Sequence, residues 1–325
     1  MKKKIVFLLT LLLFPLNVIA YSSKIIPGGE TIGINVSSKG VMVVGFYKIN
    51  NKYNKGNPEL KEGDYILKLD NNDVNTIDDV ISYIQNISDD STIDITYKRN
   101  NVIKHTNLKI INIDGENKTG LYIKDNITGI GTLSYIDPET KVYGALGHEI
   151  EESNSKVRVD IDTGNIFRNY ITSIDRSVNG KPGSKNAKFY NKDIYGDIKK
   201  NTKYGIYGEY NKDINKETME IKKLNEVNLG KAYIRTVVKG EEIKDYEIEI
   251  TNINKNSKFK SITFKVTDEK LLKESGGIVQ GMSGSPIIQD GYLIGAVTHV
   301  LVDDVTSGYG VSIITMLDEG DKLVE

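Results

Sequence analysis

Gly281-Met282-Ser283-Gly284-Ser285-Pro286-Ile287-Ile288 is a serine bracketed by glycines and followed by an apolar strand, and Tyr292-Leu293-Ile294-Gly295-Ala296-Val297-Thr298 begins a second strand nine residues after Ser283. Glycine on both sides lets a loop turn sharply and brings a bound chain against the backbone. The N–H groups of Gly281 and Ser283 are then placed to stabilise a tetrahedral oxyanion. A serine hydroxyl is a weak nucleophile until a positioned base takes its proton. His148, in Tyr143-Gly144-Ala145-Leu146-Gly147-His148-Glu149-Ile150, stands 135 residues before Ser283 and follows an apolar strand. His299 comes directly after the second strand and is the competing base; it would more naturally face the pocket for a substrate side chain, so His148 is preferred. Spacing alone does not choose the carboxylate that would hold the imidazole: Asp160, Asp162, Asp175 and Asp268 all remain. Asp268, in Lys265-Val266-Thr267-Asp268-Glu269-Lys270-Leu271-Leu272, also reads as a helix N-cap.

The surrounding chain has 325 residues with 43 Lys+Arg against 44 Asp+Glu, a net charge of −1, and 38% hydrophobic residues. Such a length suggests two domains at about 150 residues each, and so even a balance gives no basic groove for nucleic acid. Cysteine is absent, which excludes disulfides, Cys-ligated metals and a thiol nucleophile. With only three histidines, no metal site and no cofactor is expected. Lys2-Lys3-Lys4 and the apolar run Ile5–Ala20 read as an export signal or a retained membrane anchor. Sixteen residues containing Pro15 fall short of the roughly 20 a spanning helix needs. The bulk of the chain is expected outside the cytoplasmic membrane, touching it through residues 1–20 if these are kept.

From Pro27 to Ile111 short apolar runs alternate with turns, and Thr76-Ile77-Asp78-Asp79-Val80-Ile81-Ser82-Tyr83-Ile84 carries an N-cap, first-turn carboxylates and helical apolar spacing. One helix on a small sheet is predicted there. His105, just after the last strand of this unit, is assigned no chemistry. Beyond Gly120 nearly everything reads as short strands and glycine turns, which points to a barrel or sandwich. The polar stretch Asn179–Lys223 is predicted to hold long loops.

Three resemblances follow from these residues. Leu60-Lys61-Glu62-Gly63-Asp64-Tyr65-Ile66-Leu67-Lys68-Leu69-Asp70 between strands, with the helix after it, resembles a PDZ domain, and Thr31-Ile32-Gly33-Ile34 matches that family's carboxylate-binding loop and peptide-accepting strand. The Ser283 loop, preceded by His148 at about the expected distance, resembles that of chymotrypsin-like serine proteases. Taken with Ile26-Pro27-Gly28-Gly29, Thr119-Gly120-Leu121-Tyr122, Gly129-Ile130-Gly131-Thr132-Leu133 and Thr306-Ser307-Gly308-Tyr309-Gly310-Val311, the whole is similar to the stage IV sporulation protein B family of signalling serine peptidases.

That likeness implies a mainly β protein: a PDZ-like domain over residues 27–111, then a double β-barrel peptidase domain over 112–325. It implies a triad of His148, Asp268 and Ser283, choosing the aspartate by analogy alone. It also implies self-cleavage, then cleavage of a membrane-anchored regulator that activates a late sporulation sigma factor, in the space between the two membranes of the developing spore. Lys192–Lys223 matches nothing in the family pattern. A non-catalytic PDZ-containing scaffold is the alternative, and an HtrA-type quality-control protease is disfavoured because its PDZ module follows the protease. His299 is a candidate for the specificity pocket.

Overall fold

In the computed structural model, which describes residues 21–88 and 91–324, a short strand β1 (Lys24–Pro27) leads through Gly28-Gly29 into β2 (Thr31–Phe46). The strand β2 runs through two environments. Its first half, Thr31–Ser37, is hydrogen-bonded on one edge to β6 (Leu121–Ile136) and on the other to β8 (Thr163–Asp175); its second half pairs with β6 and with β3 (Tyr65–Leu69). The bend between halves falls at Gly40, whose φ of +82° is open to glycine and whose Cβ would sit 2.3 Å from the Ile66 carbonyl oxygen. Opposite it the register of β6 shifts between Lys124 and Asn126.

The second half of β2 belongs to the PDZ region, where the sheet continues through β3 to β4 (Thr92–Arg99) and β5 (Val102–Lys109). The predicted helix is present as α1 (Ile77–Gln85), closed by a reciprocal cap: the Asp79 N–H donates to Thr76 Oγ1 and the Thr76 N–H to the Asp79 carboxylate. Val80 and Ile84 bury against Val41, Ile66, Ile93 and Ile95. The Gly63-Asp64 turn is pinned from within. Asp64 is 1% exposed, and it accepts from the Lys61 N–H and from both arms of the Arg99 fork at 2.6 Å.

The first half of β2 belongs to an open half-barrel with β6, β7 (Val142–Ala145), β8, β9 (Ser184–Asp197) and β10 (Gly205–Glu209). Its core holds Ile32, Ile34, Leu133, Tyr143, Ile166 and Ile206. The expected first barrel is therefore not closed: beyond the bend at Gly40, β2 and β6 continue into the PDZ-region sheet. The long loops predicted over Asn179–Lys223 are also corrected. Most of that stretch is strand, including β9 and β10; β9 exposes polar side chains along much of its length and so carries little hydrophobic periodicity.

The second barrel is closed, with six strands in the order β11 (Gly230–Val237), β12 (Ile243–Ile253), β13 (Ile262–Val266), β16 (Asp304–Ser312), β15 (Tyr292–Leu301) and β14 (Pro286–Gln289). Ile234, Ile248, Phe264, Ile287 and Val297 fill it. Between β13 and β14 lies α2 (Glu269–Ser275), and after β16 comes α3 (Ile313–Asp321), whose Ile313, Met316 and Leu317 pack with Tyr135 and Tyr207 of the half-barrel. The predicted export segment, residues 1–20, lies outside the described residues, among which no helix is long and apolar enough to cross a membrane.

Candidate active site

The Ser283 loop is held where the half-barrel meets the closed barrel. Gly281 and Gly284 adopt φ of +96° and +93°, as the sequence requires of them. A Cβ on Gly284 would fall 2.0 Å from the Thr132 carbonyl oxygen and 2.5 Å from the Leu146 nitrogen, so only glycine lets the loop touch β6 and the end of β7. Thr132, fully buried on β6, clamps the loop twice: its N–H donates to the Ser283 carbonyl at 2.9 Å and its hydroxyl to the Gly281 carbonyl at 2.8 Å. From the other barrel, the Val297 carbonyl accepts from the Gly284 N–H at 2.7 Å.

Within the loop the N–H groups of Gln280, Met282, Gly284 and Ser285 all donate to backbone carbonyls. Those of Gly281 and Ser283 donate to no acceptor among the described residues. The Ser283 hydroxyl itself donates to the Thr298 carbonyl at 2.9 Å.

His148 reaches the same place from β7. Leu146 and Gly147 both take φ of +69°, a reversal that presses Gly147 against Thr298 and Val297 and delivers the imidazole beside β15. Its Nδ1 lies 2.7 Å from the Glu149 carbonyl, which can only accept, so the proton sits on Nδ1 and the Nε2 lone pair is left for another partner. Burial holds this imidazole below the usual histidine range, against the opposing pull of the Glu149 carbonyl and the charges of Glu149 and Glu151. His299 stacks against it with ring centroids 4.9 Å apart and meets Phe259 edge-on at 5.4 Å. Its Nδ1 is buried without a hydrogen bond, and desolvation, the neighbouring His148 and Lys260 lower its pKa to about 4.

The structure thus puts His148 and His299 in ring contact and ties the Ser283 hydroxyl to the carbonyl of Thr298, the residue before His299; among the described residues no hydrogen bond joins Ser283 to His148. Asp268 is placed elsewhere. It is the N-cap of α2, accepting from the Leu271 N–H at 2.9 Å and the Glu247 N–H at 3.5 Å, and His148 is not among its partners. The carboxylate–imidazole contact implied by family analogy is not made here, because one oxygen caps α2 at the Leu271 N–H and the other accepts from the Glu247 N–H of β12. Of the other aspartates, Asp160 pairs with Lys98, Asp175 accepts from the Ser184 hydroxyl, and Asp162 is exposed, its N–H donating to the Ser37 carbonyl. The orienting acceptor at the imidazole is instead the Glu149 backbone carbonyl, one residue on. A main-chain oxygen carries no sequence signal.

Thr31, Ile32, Gly33 and Ile34 likewise do not form a carboxylate-binding loop. They lie in β2 between β6 and β8, with Ile32 opposite Gly131 on one side and Arg168 on the other. A strand paired on both edges has none left for a peptide. Thr132 was not singled out for any role by the sequence, although it stands in the Gly129–Leu133 run. Among the described residues no three His, Asp or Glu side chains gather as a metal site.

A glycine-bracketed serine with two free N–H groups on one barrel, and a histidine with an open Nε2 on the other, are the parts that a chymotrypsin-like serine peptidase requires. The SpoIVB peptidase S55 family model matches residues 115–317, and a PDZ domain model matches residues 31–110. The chain belongs to the SpoIVB peptidase S55 family, with a PDZ domain ahead of the peptidase, and its substrates are proteins. A comparison with curated proteins gives no match. Among solved structures it is similar to the Rv3671c protease of M. tuberculosis H37Rv in an inactive form, at 13% identity over 60% of this chain and 85% of that one, TM-score 0.32. It is also similar to the protease Anisep of Arthrobacter nicotinovorans, at 12% identity over 60% and 90%, TM-score 0.34. Human heparin binding protein shares 11% identity over 56% and 74%, TM-score 0.30.

Proposed function

We propose that this protein is an exported signalling endopeptidase that cleaves itself and then a membrane-anchored regulator, in the space between the two membranes around a developing spore. Membership of the SpoIVB peptidase family supports the signalling role. The basic and apolar residues 2–20 support export.

The chemistry rests on one observation, the pair of unengaged N–H groups at Gly281 and Ser283 flanking a serine hydroxyl. In this reading the hydroxyl leaves the Thr298 carbonyl, gives its proton to His148 Nε2 and attacks the scissile carbonyl. The tetrahedral oxyanion takes the two free N–H groups. His148 then protonates the departing amine, and water resolves the acyl-enzyme by the same route. Glu149, through its carbonyl on Nδ1, keeps the imidazole in the tautomer this requires.

The test uses residues 21–325 and the Ser283→Ala variant, both made in a protease-deficient host, treated with a fluorophosphonate probe and mapped by peptide mass spectrometry. An adduct on Ser283 and self-generated fragments, both lost in the variant, are expected. Identical fragments in the two proteins would overturn self-cleavage, and a folded wild type that takes no adduct would overturn the activated serine.

A further inference from the structure

Lys185, at the start of β9, is only 4% exposed and forms no ion pair among the described residues. Its amine donates to two hydroxyls, Thr31 Oγ1 on β2 at 3.1 Å and Thr236 Oγ1 on β11 at 3.0 Å, and so ties the half-barrel to the closed barrel. Both partners are buried. Its backbone is tied to the Ser283 loop: the Lys185 N–H donates to the Gln280 carbonyl at 3.0 Å, while the Gln280 N–H donates to the Gly183 carbonyl at 2.8 Å. The side-chain stem lies against the loop as well, since a Cβ on Gly281 would come within 3.1 Å of Lys185 Cδ.

The geometry points to Lys185 as a positioning residue for the peptidase reaction, its buried amine fastening the two barrels behind Gly281 and so keeping the Gly281 and Ser283 N–H groups aligned. This rests on Ser283 being the nucleophile. An amine wholly removed from water loses the solvation of its charged form, and burial alone brings Lys185 down to about 7. On the neighbouring elements Arg235 beside Thr236 pairs with Asp245 and Asp175 on β8 accepts from the Ser184 hydroxyl, while Glu30 beside Thr31 lies against Lys216 with its buried carboxylate oxygens making no hydrogen bond.

A neutral amine has two N–H donors for two hydroxyls. The ammonium has a third, which neither hydroxyl receives, and among the described residues no ion pair balances its charge. Protonation below neutrality should therefore loosen the tie and slow the serine. This limb lies above that of His148, which burial holds below the usual histidine range.

The test is the rate of Ser283 labelling by a fluorophosphonate between pH 5 and 9, in the wild type, Lys185→Met and Thr236→Val. Lys185→Met is expected to slow labelling about thirtyfold at pH 8.5, the effect of two lost hydrogen bonds, and to remove the limb near pH 7, leaving only the lower one. Thr236→Val keeps the amine but deletes an acceptor, and is expected to move that limb. Should Lys185→Met not fold, Thr236→Val decides alone.

A second readout does not need activity. Hydrogen exchange of the 279–287 peptide, in the Ser283→Ala background and corrected for intrinsic rates, is expected to speed up from pH 8 to pH 6 with Lys185 present and not with Met there. Wild-type rates, profile and exchange in both variants would overturn the proposal. An unlabelled wild type whose loop exchange still depends on pH through Lys185 would overturn the Ser283 reading while leaving the anchoring role supported.

Discussion

The rings of His148 and His299 lie 4.9 Å apart and tilted by 45°, one delivered by the half-barrel and the other by β15 of the closed barrel. Neither has a carboxylate hydrogen-bonded to it, and burial favours the neutral form of both. The contact joins the His148 ring to the barrel that carries Ser283.

Acid should therefore weaken the fold as well as the chemistry. Both histidines have folded pKa values below the unfolded value near 6.5, so the unfolded chain binds protons first as pH falls. The stability they confer as neutral rings is fully present above about 6.5 and is lost on the way down, toward about 4 for His299. His299→Phe keeps an aromatic ring against His148 and Phe259 without a titrating nitrogen. Its melting temperature is expected to fall less than that of the wild type between pH 7 and pH 5, with Ser283 labelling at pH 8 retained. An unchanged slope would remove His299 from this account. His148→Ala, by contrast, should abolish labelling at every pH.

Asp268 separates two roles by substitution. As an N-cap its loss in Asp268→Ala should cost about 1 kcal/mol, whereas Asp268→Asn retains a capping oxygen. The capping geometry predicts that Asp268→Asn labels at Ser283 within about threefold of wild type and melts at nearly the same temperature. A carboxylate acting on the imidazole would instead lose orders of magnitude in rate on the change to Asn. Labelling rates and thermal melts of the two variants decide between them.

Thr132 holds the loop from the half-barrel side with a buried hydroxyl on the Gly281 carbonyl. Thr132→Val preserves shape and β propensity but leaves that carbonyl without its donor, at a cost of about 1–3 kcal/mol. Labelling is expected to slow about tenfold, with a lower melting temperature. Thr132→Ser, which restores the donor, should recover most of the rate. Equal rates for Val and Ser would show that the hydroxyl does not position the loop.

What was legible in the sequence was local. Gly281 and Gly284 announced a sharp turn, Thr76 with its first-turn carboxylates announced the start of α1, and the run before His148 announced a strand. Each depends on residues a few positions apart. The strand β9 escaped notice because its polar residues face outward, which hid Lys185, a lysine among lysines whose burial depends on Thr31 and Thr236 from two other strands.

The sequence by itself determined the family, the serine loop with its glycines, the histidine upstream and the helix of the PDZ region, because those features are written in residue type and short spacing. Only the tertiary structure decided that Thr31–Ile34 are closed in between β6 and β8, that Asp268 caps a helix while a backbone carbonyl orients His148, and that β2 serves both sheets. Strand pairing and burial depend on which distant segments come to lie side by side, and a hydrogen bond accepted by the main chain looks the same at every residue.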